Sequence, residues 1–541
     1  MSSMTSKPAN GICQQAQITN PPISHLMKTG TPIAAIAAFA LMANGAFAIT
    51  KTVNGIQWTY CIEDGKAIIG DYSSGETAVP QTTTGAIAIP STLDECPVIA
   101  IGENAFDNCD KLTSVTIPNG VTSIGYSAFS NCEALKAVDI PDSVTEIGDS
   151  AFRYCAALET VRIGDGVTTI PYRCFERGES LKSLTIGSGV ETIEDSAFAD
   201  CPALGSATIP TNVTDIGRLA FCGDTSIATV VFGEGLRTVG DSAFRECLSL
   251  DGIALPSTLE TIGDSAFFKC EALKVVDIPD SVTEIGDSAF RYCAALETVR
   301  IGDGVATISY QCFEHGESLK SLTIGSGVEK MEDSAFGSCE ALSMVTLLGG
   351  VFDGYGEMPW ESINLVLCSS AYAGAWKPIL RQCGVEEMVE LPDAEIQEET
   401  VEGKTWRFYI ADGGAVICSG GWGESVSPLT NGEVLALPAI LGGCTVTKIG
   451  VAAFAGMHEI AEISIPKTVT DIADFAFYEC LGLTLVTFVE PSSLKSIGEA
   501  AFRWCVGLEG NFKPPSSSPT IGKNALQFSR PSRSKGMSAD H

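Results

Sequence analysis

Apolar and polar positions recur along this chain with a single period. Phe stands at 106, 129, 152, 175, 198, 221, 244, 267, 290, 313 and 336, every interval being 23 residues. Ala precedes that Phe in nine of these eleven copies, and Cys174 and Cys312 precede it in the other two. One unit shows what the pattern encodes. From Leu135, apolar Val138 and Ile140 alternate with polar neighbours up to Pro141, a period-two run that predicts a short strand. Val144 to Gly148 reads Val-x-x-Ile-Gly, which predicts a second extended piece closed by a glycine. Asp149 is a good N-cap, so the segment to Cys155 is expected to form one helical or 3₁₀ turn that buries Ala151 and Phe152. A unit this short cannot bury three inward edges by itself. Its neighbours must stack on it, giving a quasi-one-dimensional solenoid. At about 4.8 Å per strand the first array would run roughly 50 Å.

Two larger relations lie above the period. Residues 133–204 and 271–342 are nearly identical at an offset of 138, which is six units, and DIPDSVTEIGDSAFRYCAALETVRIGDGV occurs in both. VNGIQWTYCIEDGKAIIG from Val53 matches VEGKTWRFYIADGGAVIC from Val401 at an offset of 348, which pairs Trp58 with Trp406 and Phe106 with Phe454. A solenoid end exposes its core, so this shared segment is expected to be a capping hairpin repeated with the first turn behind it. The resulting plan has a leader over 1–48, a cap over 49–100 and a first array over 101–348. A closing segment with an acidic linker follows over 349–400, then a second cap over 401–447, a short second array over 448–530 and a frayed tail over 531–541. SSAYAGAWKPILRQCGV, around Trp376, predicts an amphipathic helix that closes the first array.

The unit L-x-x-L/V-x-I-P-x-x-V-T-x-I-G-x-x-A-F-x-x-C resembles the BspA-like leucine-rich-repeat family of bacterial and protozoan surface proteins. The likeness is strong over about 98–348 and moderate over 445–526. It implies an α/β-type repeat, a right-handed leucine-rich-repeat solenoid with one parallel strand face and two capped arrays. It also implies secretion or cell-surface display and adhesion through a protein or cell-surface ligand. The repeat defines the fold, whereas function on such a scaffold belongs to its variable face.

Charge and the N-terminal segment narrow the function. With 66 acidic and 33 basic residues the formal net charge is −33, which argues against nucleic acid as a partner because phosphate backbones need clustered Lys and Arg. Lys28, the apolar run Pro32 to Met42 and Ala46-Phe47-Ala48 form a signal-peptide pattern with cleavage after Ala48, and Met27 is an alternative start. No second apolar run follows, so no integral span is expected once the signal is removed. Secretion or the cell surface is the expected location, with the periplasm as the alternative.

Catalytic, cofactor and metal signatures are missing from the motifs. Ten cysteines sit three residues after the motif Phe and form one column along the stack, where a small apolar side chain fits. They lack the converging partners of a zinc site. Cys61/Cys96, Cys368/Cys383 and Cys418/Cys444 are candidate disulfides outside that column. Cys312 near His315 resembles a nucleophile and base, yet the duplicate holds Arg177 where His315 stands, and Cys312 fills the inward Ala slot. The candidate site is therefore the outward column of the strand face: Thr116, Asp139, Arg162, Thr185, Thr208, Asp277, Arg300 and Thr323. Asp139 beside Arg162, and Asp277 beside Arg300, should pair laterally, each pair contributing about 0.2–1 kcal/mol. A face of small hydroxyls with few aromatic anchors favours broad contact over one pocket. The competing reading is a structural surface or periplasmic spacer with no specific ligand.

Overall fold

The computed structural model describes residues 48–70, 77–385, 387–391, 396–418, 426–427 and 432–528. The expected leader, apart from Ala48, and the tail lie outside the described residues. The repeated units form a β-solenoid. Along one side run parallel strands, among them Ala137–Ile140, Thr160–Ile163 and Ser183–Thr185. Asp139, Arg162 and Thr185 lie side by side across these three. The same sheet type continues from Val275–Ile278 through Thr298–Ile301, Ser321–Ile324 and Met344–Leu347 to Leu365–Ser369. A second parallel ladder is made of two-residue strands that stack Ile170 on Ile193, Ile216, Val239 and Ile262. Gly148 belongs between this ladder and the motif Phe because a Cβ there would lie 2.4 Å from the Tyr126 nitrogen of the preceding turn.

The third side differs from the expected helical turn. Ser150 and Tyr154 have φ of 59° and 61°, and equivalent left-handed residues recur in the other turns. A left-handed residue at each end of the five-residue segment lets every second N–H point along the stack. Ser150, Phe152 and Tyr154 donate to the carbonyls of Tyr172, Cys174 and Glu176 in the next turn, at 2.8, 2.8 and 2.9 Å. A helix would spend those donors within its own turn. This segment spends them between turns, and so adds a third backbone ladder to the solenoid.

Inside, one residue type stacks on itself. The motif Phe rings from 106 to 336 lie 4.7–5.4 Å apart between centroids with planes within 14°. Trp58 meets the first ring edge-on at 6.2 Å. Phe454, Phe477 and Phe502 form a second stack within a separate core. Beside the rings runs the cysteine column, and from Cys132 on its thiols donate to the Phe carbonyl of the preceding turn: Cys132 to Phe106 and Cys155 to Phe129 at 3.2 Å, Cys270 to Phe244 and Cys293 to Phe267 at 3.3 Å. Burial pushes the Cys155 and Cys293 thiols up to about 12, so they stay protonated donors.

Both end segments are alike. Ile49–Val53, Ile56–Glu63 and Lys66–Ile69 form an antiparallel meander that joins Cys96–Ile101 in parallel. Gln397–Val401, Lys404–Ala411 and Gly414–Ile417 repeat it against Cys444–Ile449, down to the register shift after Ala67 and after Ala415. Ser370–Gln382 is the expected helix, burying Ala373, Trp376 and Leu380. Part of the expected acidic linker is a strand instead: Met388–Leu391 extends the first sheet beside Leu365–Ser369. Met388, Val389 and Leu391 give it apolar material to pack. The three candidate disulfides are not formed. Cys61 packs with Ile68 and Ala100, whereas Cys96 packs against the main core, which separates that pair.

Gly178, Asp224, Gly316 and Met457 interrupt the cysteine column, and one of them is an acid. Asp224 occupies the slot with no exposed surface, and its Oδ1 accepts the Cys201 N–H at 2.7 Å. Its Oδ2 has no protein partner, and burial raises its carboxyl well above the usual value. The folded state therefore holds a proton that the unfolded chain releases near the ordinary carboxylate pKa. Stability from this group is present at low pH and lost as pH rises through the raised folded value. Asp224→Asn should stabilise the chain at neutral pH by about 1–3 kcal/mol, and the gain should vanish toward pH 4. Denaturant melts of both chains across that range would show it, and a constant difference would refute it. Separately, Phe221→Ala should cost about 3–5 kcal/mol. Hydrogen exchange should lose protection first across residues 198–244, and unchanged protection there would contradict the stack.

Candidate binding face

The strand face carries the candidate column in the expected register. Thr116, Asp139, Arg162, Thr185, Thr208 and Asp277 are exposed. The expected lateral pairs form, since Arg162 donates to Asp139 and Arg300 to Asp277, each at 3.0 Å. Each arginine also reaches an acid one corner further on, Asp142 at 2.6 Å and Asp280 at 2.7 Å, and a strand-end carbonyl, Ile140 or Ile278, at 3.3 Å. Hydrogen bonds from Arg162 and from the Asp165 N–H hold the Asp142 carboxyl below its usual value. Sequence reasoning missed these second acids. They follow Pro141 and Pro279, where the chain turns off the strand and brings the carboxylate back beside it. Each arginine is thereby a three-pronged clamp at the strand corner, with its planar fork already occupied.

Between the two clamps the face is weakly polar. Val231 and Val275 are 59% and 51% exposed. Thr208 lies beside Val231, and Thr229 beside Gly252. This small-residue stretch spans four strands, Ser183–Thr185, Ser206–Thr208, Thr229–Val231 and Gly252–Ile253, between charged borders.

The far end of the face is covered, and Thr323 is corrected accordingly. Thr323 is only 3% exposed, Arg300 is half-buried, and Ser321, Met344, Thr346, Leu365 and Leu367 are buried. The cover is the second array. Its turn edge supplies Ala452, Ala455, Phe475, Tyr478, Ala500 and Trp504, which pack with Met344, Leu365 and Leu367 in one apolar cluster. Arg503 pairs with Glu387, and the Ser343 hydroxyl donates to Glu479 at 3.3 Å. The signal was present on both sides of the contact. Outward strand positions change from Thr and Ser to Met344, Leu365 and Leu367, and edge positions change from Ser and Asn to Phe475, Tyr478 and Trp504. Their separation along the chain hid the match.

Cys312 and His315 do not form a catalytic pair. Cys312 is fully buried and burial raises its thiol, while the His315 ring lies on the turn edge, stacked on Tyr292 at 4.4 Å. Among the described residues no cluster of three or more His, Cys, Asp or Glu is placed to hold a metal ion. Among them, too, no helix is long and apolar enough to cross a membrane.

A parallel strand face over a Phe-stacked core, with variable residues pointing outward, defines a leucine-rich-repeat protein. The family model described as BspA type leucine rich repeat region matches residues 99–228, 220–343 and 439–534, and the chain belongs to that family. No curated protein matches the chain. Among solved structures it is similar to a leucine-rich repeat protein from Bacteroides ovatus, at 21% identity over 87% of this chain and 98% of that one with a TM-score of 0.42. It is also similar to a leucine rich cell surface protein from Faecalibacterium prausnitzii, at 25% identity over 64% of this chain and 95% of that one with a TM-score of 0.34. A third is the pneumococcal vaccine antigen PcpA, at 16% identity over 64% of this chain and 99% of that one with a TM-score of 0.35.

If the apolar cluster holds the second array in place, Leu367→Asp should release it. An unpaired buried carboxylate costs about 3–5 kcal/mol, more than the contact can absorb. Hydroxyl-radical footprinting should then find Trp504 and Tyr478 newly oxidised, with the Phe stack still protected. Unchanged footprints would mean that the docking does not depend on this cluster.

Proposed function

We propose that this chain is an exported, non-enzymatic binding protein of the cell surface. It engages a protein or surface ligand through the uncovered strand face from Thr116 to Asp277. The supporting observation is the contrast along one face: the outward column is exposed at this end and sealed under the second array at the other. A face that served only to stack turns would need no such division. The open part combines small hydroxyls with Val231 and Val275 and lacks a deep aromatic anchor, which suits broad contact. The two arginine clamps act as rigid borders that set register on the ligand, and each arginine is already held by two carboxylates of its own chain, so it offers no free cation. Binding is therefore expected to depend weakly on salt.

Protease shaving of intact producing cells tests the display. Peptides from residues 101–348 released at the surface support the reading. Release only after lysis turns the assignment to the structural spacer inside the envelope. For binding, Thr185→Lys with Thr208→Lys should reduce saturable capture of the ligand by about tenfold or more without altering the melt. Equal capture by this variant would remove the strand face from the proposal.

A further inference from the structure

The contact between the two arrays shows what a strand face of this repeat accepts. An edge Arg and its following aromatic, Arg503 and Trp504, lie on the first array's strands with the guanidinium 4.6 Å from the ring centroid. The arginine pairs with Glu387, and the ring packs in the cluster that holds Leu365 and Leu367. An edge thus docks on a face as aromatic on aliphatic, with arginine on carboxylate.

The first array repeats that edge without a cover. Arg153 and Tyr154 follow Phe152 as Arg503 and Trp504 follow Phe502. Arg153 and Arg177 lie over Tyr154 at 4.4 and 5.5 Å, and Arg173 lies over Tyr172 at 4.7 Å. Glu176 pairs with Arg153 at 2.5 Å and sits 3.5 Å from Arg173. Arg177 is half-exposed, and besides Tyr154 it reaches the exposed Asp200, at 3.6 Å. The edge is a concentration of arginine and tyrosine on a chain whose net charge is −33. Its internal duplicate keeps Arg291 and Tyr292 but has Gln311 and His315 where Arg173 and Arg177 stand, so the charge gathers at one place.

A matching face exists on the same chain. On the second array, Val434, Glu462 and Leu485 are adjacent in register across three parallel strands. Val434 is 67% exposed and Leu485 38%. Among the described residues Glu462 has no ion-pair partner. The row reads aliphatic, carboxylate, aliphatic, the chemistry that receives Arg503 and Trp504.

We propose that the Arg177–Tyr154 edge of one chain docks on the Val434–Glu462–Leu485 row of a second copy. Edge and row are different surfaces, so the contact is heterologous, and each chain that joins leaves one edge and one row open. The chains therefore assemble head to tail into open rows. This interface is separate from the open strand face assigned to ligand, and either can fail without the other.

Sedimentation velocity on the full chain at rising concentration tests it. Association should be concentration-dependent, and Arg177→Glu and Glu462→Lys should each weaken it by about tenfold or more, because like charges then meet. Both positions lie on the surface, and the mixture guards against misfolding. A mixture of Arg177→Glu and Glu462→Lys chains should associate again, since the unaltered edge of the second meets the unaltered row of the first and the two substituted sites are themselves of opposite charge. A wild-type chain that stays monomeric overturns the proposal. So does association that survives both variants, or a mixture that fails to pair although each variant melts like wild type.

Discussion

Everything in this molecule depends on each turn being completed by the next. The Phe ring, the Ser150, Phe152 and Tyr154 N–H groups and the Cys155 thiol all find their partners one turn away. None of these interactions is strong alone. A ring pair contributes about 0.5–1.5 kcal/mol beyond its buried area, and a hydrogen bond about 0.5–1.5 kcal/mol net. They repeat in register at every turn, so a side chain that disturbs one spacing disturbs ring, backbone and thiol together. This explains the tight interval between Phe residues and why the inward slots barely vary. It also explains why a whole six-turn block can be copied without penalty, because a turn meets only turns like itself.

The thiol column follows from the same constraint. Its slot must be small enough to sit beside the rings, and a donor there adds a second hydrogen bond to a Phe carbonyl that already accepts an N–H from its own turn. Cysteine is small and a donor, and burial keeps the proton on sulfur. Gly178 and Gly316 are only small, their missing side chains leaving room 3.4 Å from the next cysteine's sulfur. Asp224 instead turns an oxygen to the Cys201 N–H and leaves its other oxygen without a partner. An exported protein would ordinarily oxidise exposed thiols. Here the column is buried inside the solenoid, where its sulfurs serve as donors to carbonyls.

What could be read from residues alone divides along the same line. Positions set by neighbouring turns were legible: the strands, the Phe stack, the buried cysteines, the Asp139–Arg162 pair and the helix around Trp376. The left-handed residues on the third side were not, because Ser, Tyr and Arg carry no conformational signature there and only the inter-turn ladder makes such backbone favourable. The second acids of the arginine clamps were missed for a similar reason, since they approach around a corner. The burial of Thr323 was hidden by distance along the chain. Met344 on the adjacent strand marks an apolar patch, but the residues that cover it, Tyr478 and Trp504, lie far along the chain.

The docking of the second array also changes what the strand face means. On the first turns the outward residues are free of the stack and can serve recognition. On the last ones the same positions have become core, and Met344, Leu365 and Leu367 are as fully buried as the Phe rings. One repeat thus supplies both a surface and an acceptor for that surface's own edge, with only a handful of outward substitutions deciding which. Because the backbone of every turn is nearly the same, converting open face to contact requires no new fold. It needs only apolar residues on one side, aromatic residues on the other, and a carboxylate where the arginine arrives.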